Sequence, residues 1–200
     1  MQIAVIIGSH RIKSNSAKVG NFAAELLRAS GETVDVISLA GNPLPFWDET
    51  LGSPDSVLAK QWQPYAARLR AAEGIVVVSP EWHGMVPSGL KNFLLLCSPK
   101  EVGHKAALIV TVSASLGGAY PVNELRTSGY KNNRLAFIPE HLIVRHAERV
   151  LNGPNPESDE DTYIRGRMRA TLDLFREYAR ALAAMRLEHP FDFTAYPNGM

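Results

Sequence analysis

The sequence predicts an α/β domain built on an open, doubly wound parallel sheet, and three observations predict it. Short β-branched apolar runs recur along the chain, each bounded by a turn signal. Each is followed by a helical pattern, which is how buried parallel strands joined by crossover helices read. Five such runs fall within 200 residues, a length that supports one core and buries most of the chain's apolar surface.

The first run is Ile3-Ala4-Val5-Ile6-Ile7 and the second Val34-Asp35-Val36-Ile37-Ser38-Leu39. The third is Ile75-Val76-Val77-Val78, the fourth Ala107-Leu108-Ile109-Val110-Thr111-Val112, and a weaker fifth surrounds Leu142-Ile143-Val144. Runs one, three and four are apolar without alternation, so both faces are expected to be covered and the strands to be central. The second alternates around Asp35, as an edge strand does. Between the first two, Val19, Phe22, Ala23, Leu26 and Leu27 recur at helical spacing from Ser16 to Ser30, with Gly31 as the stop. A second helix is expected from about Asp55 to Ala72, capped near Ser53 or Asp55, with Pro64 kinking it unless the helix starts later. A third begins near Pro87 and a fourth follows Gly117-Gly118. The fifth and longest runs from about Ser158 to Arg186, with Ile164, Met168, Leu172, Phe175 and Ala179 on one face and Arg165, Arg169 and Arg176 on the other. No repeat or linker divides the chain. Residues 1–186 therefore read as one domain and residues 187–200 as a C-terminal tail, which either packs on a partner subunit or hangs loose.

Composition removes several function classes. An apolar fraction of 46% with 20% charged residues excludes a disordered chain. Lys and Arg number 21 against 20 Asp and Glu, a net charge of +1 with no basic block, so nucleic acid is not an expected partner. The one cysteine, Cys97, sits in an apolar run and can neither close an internal disulfide nor supply a Cys-cluster zinc site; a reducing cytoplasm and no metal are expected. The N-terminus lacks a cationic leader, and no segment reaches the roughly 18 apolar residues of a membrane span. No membrane association is expected.

In such a sheet the ligand lies beyond the C-terminal ends of the central strands, so the loops after strands one, three and four are the place to look. After strand one stands Gly8-Ser9-His10-Arg11-Ile12-Lys13-Ser14-Asn15-Ser16, then a helix. Hydroxyl and amide donors, two cations and unpaired helix N–H groups together suit a phosphate. The same composition also serves plain helix capping. Neither G-x-x-x-x-G-K-[ST] nor G-x-G-x-x-G is present, which disfavours a nucleoside triphosphatase or a dinucleotide-binding half. After strand three, Pro80-Glu81-Trp82-His83-Gly84 brings an aromatic wall suited to a flat ring, unless Trp82 is only a packing aromatic. His83 reads as an acid, a base or a hydrogen-bonding spacer. After strand four, Ser113 to Gly118 ends in two glycines, either a tight turn or donors for a ring atom that becomes anionic.

Read together, Gly8-Ser9-x-Arg11-x-x-Ser14-x-Ser16, Leu44-Pro45-Phe46-Trp47-Asp48-Glu49, Pro80-Glu81-Trp82-His83-Gly84 with Pro87 and Leu90-Lys91-Asn92, and Gly117-Gly118 with Leu125-Arg126 resemble the NADPH-dependent FMN reductase and quinone reductase family of flavodoxin-like proteins. The resemblance runs from residue 1 to about residue 145. It implies a flavodoxin-like five-stranded sheet of order 2-1-3-4-5 and bound FMN, with NADPH or NADH as co-substrate. Ser9, Arg11, Ser14, Asn15 and Ser16 would surround the FMN phosphate. Pro80, Glu81, Trp82, His83 and Gly84 would line the ribityl chain and isoalloxazine, and Ser113, Gly117 and Gly118 would meet the pyrimidine side. The family's usual Tyr-Asn after Pro-Glu is Trp82-His83 here, which keeps the aromatic and replaces an amide by an imidazole.

The implied reaction is hydride transfer from the nicotinamide to flavin N5, then electron transfer to a flat small-molecule acceptor such as a quinone, an azo compound or a free flavin. No catalytic side chain is required. Accordingly no G-x-S-x-G elbow occurs, and Gly103 stands where a C-x5-R phosphatase loop from Cys97 needs arginine. Relatives pair as homodimers or homotetramers, and the apolar loop Gly41 to Pro54 is either an interface and pocket lid or a segment folded on its own domain. A non-enzymatic flavodoxin-type electron carrier is the rival, against which the near-neutral charge argues, and a flavin-binding module is another.

Overall fold

In a computed structural model of the chain, which describes residues 1–199, the apolar runs become β1 (Gln2–Ile7), β2 (Thr33–Ser38), β3 (Gly74–Pro80), β4 (Ala106–Val112) and β5 (Ala136–Val144). All pair in parallel in the order β2-β1-β3-β4-β5, so every C-terminal strand end lies along one rim. As expected, β1, β3 and β4 are central, and β3 and β4 are buried at every residue. The second strand lies at an edge, where Arg68 donates to the Asp35 carboxylate from Nε and Nη2 at 2.7 and 2.6 Å. Those bonds outweigh partial burial and hold the carboxyl below its ordinary range.

The other edge, β5, is longer than its apolar run announced. Between Phe137 and His141 it takes four steps where β4 takes two, from Ala107 to Ile109. The resulting bulge holds Pro139, which an edge strand tolerates because its missing N–H breaks no interior ladder. Arg126 fills the bulge, donating to the carbonyls of Ile138 and Pro139 at 2.9 and 2.7 Å.

The helices are α1 (Asn15–Ala29), α2 (Val57–Ala71), α3 (Ser88–Leu96), α4 (Pro99–Val102), α5 (Ala119–Thr127) and α6 (Asp159–Glu188). Alternate strand residues feed two cores, one on each face of the sheet. Ile3 and Val5 pack with Val19 and Leu27 of α1 and Phe175 of α6, whereas Ala4 and Ile6 pack with Leu69 of α2 and Leu90 and Phe93 of α3.

Where α2 begins differs from expectation. Its cap is Ser56, whose Oγ accepts the Ala59 N–H at 3.0 Å, and neither Ser53 nor Asp55. The helix also runs through Pro64. Pro64 and Lys60, whose carbonyl loses its partner, are both exposed, where a missing helix bond costs least. Two short pieces had no apolar period to announce them: a 3-10 turn at Glu49–Gly52, and α4, which starts at a capping box of Ser98 and Glu101. Past Glu188 the chain folds back on itself. Phe191 and Phe193 stack on His104 with ring centroids 4.2 and 5.9 Å away, and Arg134 lies over Phe193 at 5.1 Å. Among the described residues, no helix is long and apolar enough to cross a membrane.

Candidate functional site

The loop after β1 is drawn down onto the sheet by Gly8. A Cβ there would stand 2.5 Å from Leu90 Cδ2 and 2.9 Å from the Val78 carbonyl oxygen, so close approach to α3 demands glycine. Ser9 is buried, and its Oγ accepts the Arg11 N–H at 3.3 Å. Ser14 is the N-cap of α1, its Oγ accepting from Ala17 N–H at 3.1 Å. The N–H groups of Asn15 and Ser16, first in the helix, have no acceptor among the described residues. The Arg11 guanidinium is exposed and pairs with no carboxylate among them. Lys18, one turn further in, is otherwise engaged: its ammonium donates to the carbonyls of Ala147 and Val150 at 2.6 and 2.8 Å. Burial lowers its pKa, against the attraction of Asp161 and Glu148.

After β3 the chain reverses at Trp82-His83-Gly84-Met85. Trp82 N–H donates to the Met85 carbonyl at 3.1 Å and Met85 N–H to the Trp82 carbonyl at 2.9 Å. His83 at φ 51° and Gly84 at φ 72° make this a two-residue turn of the left-handed type that suits right-twisted strands. Asparagine is the preferred first residue of such a turn, and histidine is among the few others enriched at positive φ, so His83 is compatible with this turn. Trp82 meets the first loop. Its ring lies 4.6 Å from that of His10, centroid to centroid, and Arg11 Cζ sits 5.5 Å from it. Sequence reasoning passed over His10, because only the fold brings it to Trp82.

The third loop is tied to the second through Glu81, whose Oε2 accepts the Gly118 N–H at 2.6 Å. The side chain of Glu81, expected against a ring, thus holds a turn, and the Gly118 N–H is not open to a ligand. Each glycine of the pair has its own cause. A Cβ on Gly117 would stand 2.6 Å from Glu81 Oε1, and Gly118 has φ +105° with its missing Cβ aimed into Ile143. Ser113 donates its N–H to the Val144 carbonyl at 2.9 Å, and its Oγ accepts from Ser115 N–H at 3.2 Å. The N–H groups of Leu116 and Gly117 have no acceptor among the described residues. The three loops therefore converge on one rim. Among the described residues, no group of three His, Cys, Asp or Glu is placed to hold a metal ion.

A separate groove of about 860 Å³ lies between α3 and α5, lined by Phe46, Trp47, Leu94, Leu95, Leu125 and Tyr130. Asn92 holds the 41–54 loop at its border, accepting from Trp47 N–H and donating to the Pro45 carbonyl, each at 2.8 Å. Lys91 of this groove is paired with Glu124 at 2.6 Å. For an anionic ligand the rim is better equipped, because helix N–H groups and a free guanidinium meet there.

The strand order 2-1-3-4-5 is that of the flavodoxin-like doubly wound sheet. Residues 1–149 match the family described as NADPH-dependent FMN reductase. The quinone reductase of Escherichia coli (strain K12) is 33% identical over 125 residues, 60% of this chain and 64% of that relative, so the chain spans just under two thirds of its length. The NADPH azoreductase of Bacillus sp. (strain OY1-2) is 29% identical over 161 residues, 80% of this chain and 82% of the relative. Among solved structures, the flavoenzyme NAD(P)H:(acceptor) oxidoreductase FerB of Paracoccus denitrificans superposes with a TM-score of 0.70 at 18% identity, over 88% of this chain and 98% of FerB. That likeness concerns the fold alone. The 149 matched residues contain all three rim loops, and the chain belongs to the NADPH-dependent FMN reductase family.

Proposed function

We propose that the protein is an FMN-dependent oxidoreductase that takes hydride from NADPH or NADH and passes electrons to a flat electrophile such as a quinone, an azo compound or a free flavin. One observation carries the reading: the N–H groups of Asn15 and Ser16 at the positive end of α1, without an acceptor among the described residues, beside a guanidinium that no carboxylate among them neutralises. A phosphate dianion completes that site. The hydroxyls of Ser9, Ser14 and Ser16 and the charge of Arg11 surround it. Pro80 to Gly84, with Trp82 at the turn, line the path of the ribityl chain and ring. Ser113 and the N–H groups of Leu116 and Gly117 face the pyrimidine edge; Gly118 contributes through the shape of the turn.

FMN, when bound, supplies the two-electron chemistry. The chain's own work is to bind, to orient and to stabilise charge. No side chain is needed as a nucleophile, and the one thiol is unsuited to be one: Cys97 is buried, donates to the Phe93 carbonyl at 3.3 Å, and has its pKa pushed up by burial. A lone buried thiol suits the reducing cytoplasm. We read the groove between α3 and α5 as the contact face of a homodimer or of a homotetramer built from it, since Phe46, Trp47 and Leu95 are 70%, 45% and 60% exposed around it. The enzymatic reading is tested by an absorbance spectrum before and after anaerobic NADPH. Bound flavin bleached with no partner protein present is the expected result. Failure of both nicotinamides to bleach it would leave a flavodoxin-type carrier, and unchanged FMN fluorescence on titration would leave a module that binds no flavin.

A further inference from the structure

Four carbonyl groups of the loop after β4, those of Ser113, Ser115, Leu116 and Gly117, face one short segment, residues 145–147. Ala147 N–H donates to the Ser113 carbonyl at 3.0 Å and His146 N–H to the Ser115 carbonyl at 3.1 Å. Arg145 Nε reaches the next two, Leu116 at 2.7 Å and Gly117 at 3.2 Å. A trans peptide sets each C=O antiparallel to the following N–H. Holding the Ser115 and Leu116 carbonyls toward residues 145–147 therefore aims the Leu116 and Gly117 N–H groups the opposite way. Glu81 marks that side, since it takes the Gly118 N–H, which opposes the Gly117 carbonyl. Leu116 and Gly117 are thus two adjacent donors without an acceptor among the described residues, clamped from behind. Arg145 itself is exposed, pairs with no carboxylate among them, and touches neither β1 nor β3 loop residues through hydrogen bonds.

We propose that Arg145 is a positioning residue for the flavin: by gripping the Leu116 carbonyl it presents the Gly117 N–H, beside the Leu116 N–H that His146 sets through the Ser115 carbonyl, to the acceptor edge of the ring, and so favours the reduced cofactor, whose negative charge gathers there. The inference rests on the functional reading above. Preset N–H groups stabilise charge that develops on a ligand more than charge already spread over it, because no reorganisation is needed when the charge arrives.

The test compares the wild-type protein with Arg145→Ala, Arg145→Met and Arg145→Lys, measuring Kd for oxidised FMN and the two-electron midpoint potential of the bound flavin. In Arg145→Ala the affinity for reduced FMN is expected to fall about tenfold more than that for oxidised FMN, which is a midpoint about 30 mV lower. Arg145→Lys, which can still donate to the carbonyls, restores at least half of the shift. Arg145→Met, which keeps most of the side chain's length but has no N–H donor, shows the same fall should the alanine variant misfold. A purely structural role would loosen both redox states alike. An unchanged potential in folded, flavin-loaded Arg145→Ala and Arg145→Met overturns the proposal while leaving the functional reading intact. Wild-type protein that binds no FMN overturns both.

Discussion

Arg11 stands exposed beside the first turn of α1 with no carboxylate among the described residues to neutralise it, so its charge is open to a phosphate. Hydrogen bonds to charged groups contribute about 1.5–3 kcal/mol, and 1.4 kcal/mol is tenfold in affinity. Arg11→Ala is accordingly expected to weaken FMN by at least about tenfold and riboflavin, which lacks the phosphate, hardly at all; fluorescence titration of both ligands decides, and equal losses contradict the assignment. His83 gives a second prediction. Its φ of 51° is tolerated by His, Asn or Gly but strains a β-branched residue, so His83→Val costs about 1–3 kcal/mol while His83→Asn is near neutral, read as Tm. At this scale the sequence was informative wherever neighbours in the chain are neighbours in space. Ser14 and Ser16 could be read as the start of a helix because capping is local. His10, Arg145 and the grip of Glu81 on Gly118 could not, since each acts on a partner that only strand order brings near.

The start of α6 shows how one element can hold a whole loop. Asp161 is fully buried and accepts from Arg165 Nε at 2.8 Å, Leu151 N–H at 2.9 Å and Glu157 N–H at 3.1 Å. Burial alone would raise its pKa; the hydrogen bonds from Arg165, Leu151 and Glu157 outweigh it and hold the carboxyl below its ordinary range. The unfolded chain therefore binds this proton more tightly than the folded one. Its stabilisation is complete above the ordinary carboxyl pKa of about 4 and is lost as pH falls through the lower folded value. Asp161→Ala strands Arg165, which is 4% exposed, and is expected to cost about 3–5 kcal/mol in urea unfolding at neutral pH. Asp161→Asn should in addition remove part of the acid dependence of stability below pH about 4. Elements with a long apolar period, such as α1 and α6, were legible to within a few residues. Those with none, such as α4 and the Glu49–Gly52 turn, were not, and the bulge that lengthens β5 breaks the very alternation by which strands are recognised.

For the whole molecule, the parallel sheet and its central strands followed from apolar runs too continuous to face water on either side, and the order 2-1-3-4-5 from the resemblance carried by the rim loops. The groove between α3 and α5 was not legible, because it is formed by helices distant in the chain and bordered by the loop that Asn92 holds. If that groove seats a second copy, Leu95→Glu places a charge in the contact and converts the oligomer to monomer in analytical ultracentrifugation without loss of helical circular dichroism; an unchanged sedimentation coefficient removes the groove from the interface. The groove is also the competing place for a flavin, which makes one measurement decisive. A crystal structure of the protein grown with FMN is predicted to show the phosphate hydrogen-bonded to the N–H groups of Asn15 and Ser16, with the ring between the Trp82 turn and Leu116-Gly117. A rim without density, or flavin seated against Leu95 and Tyr130 between α3 and α5, contradicts the account.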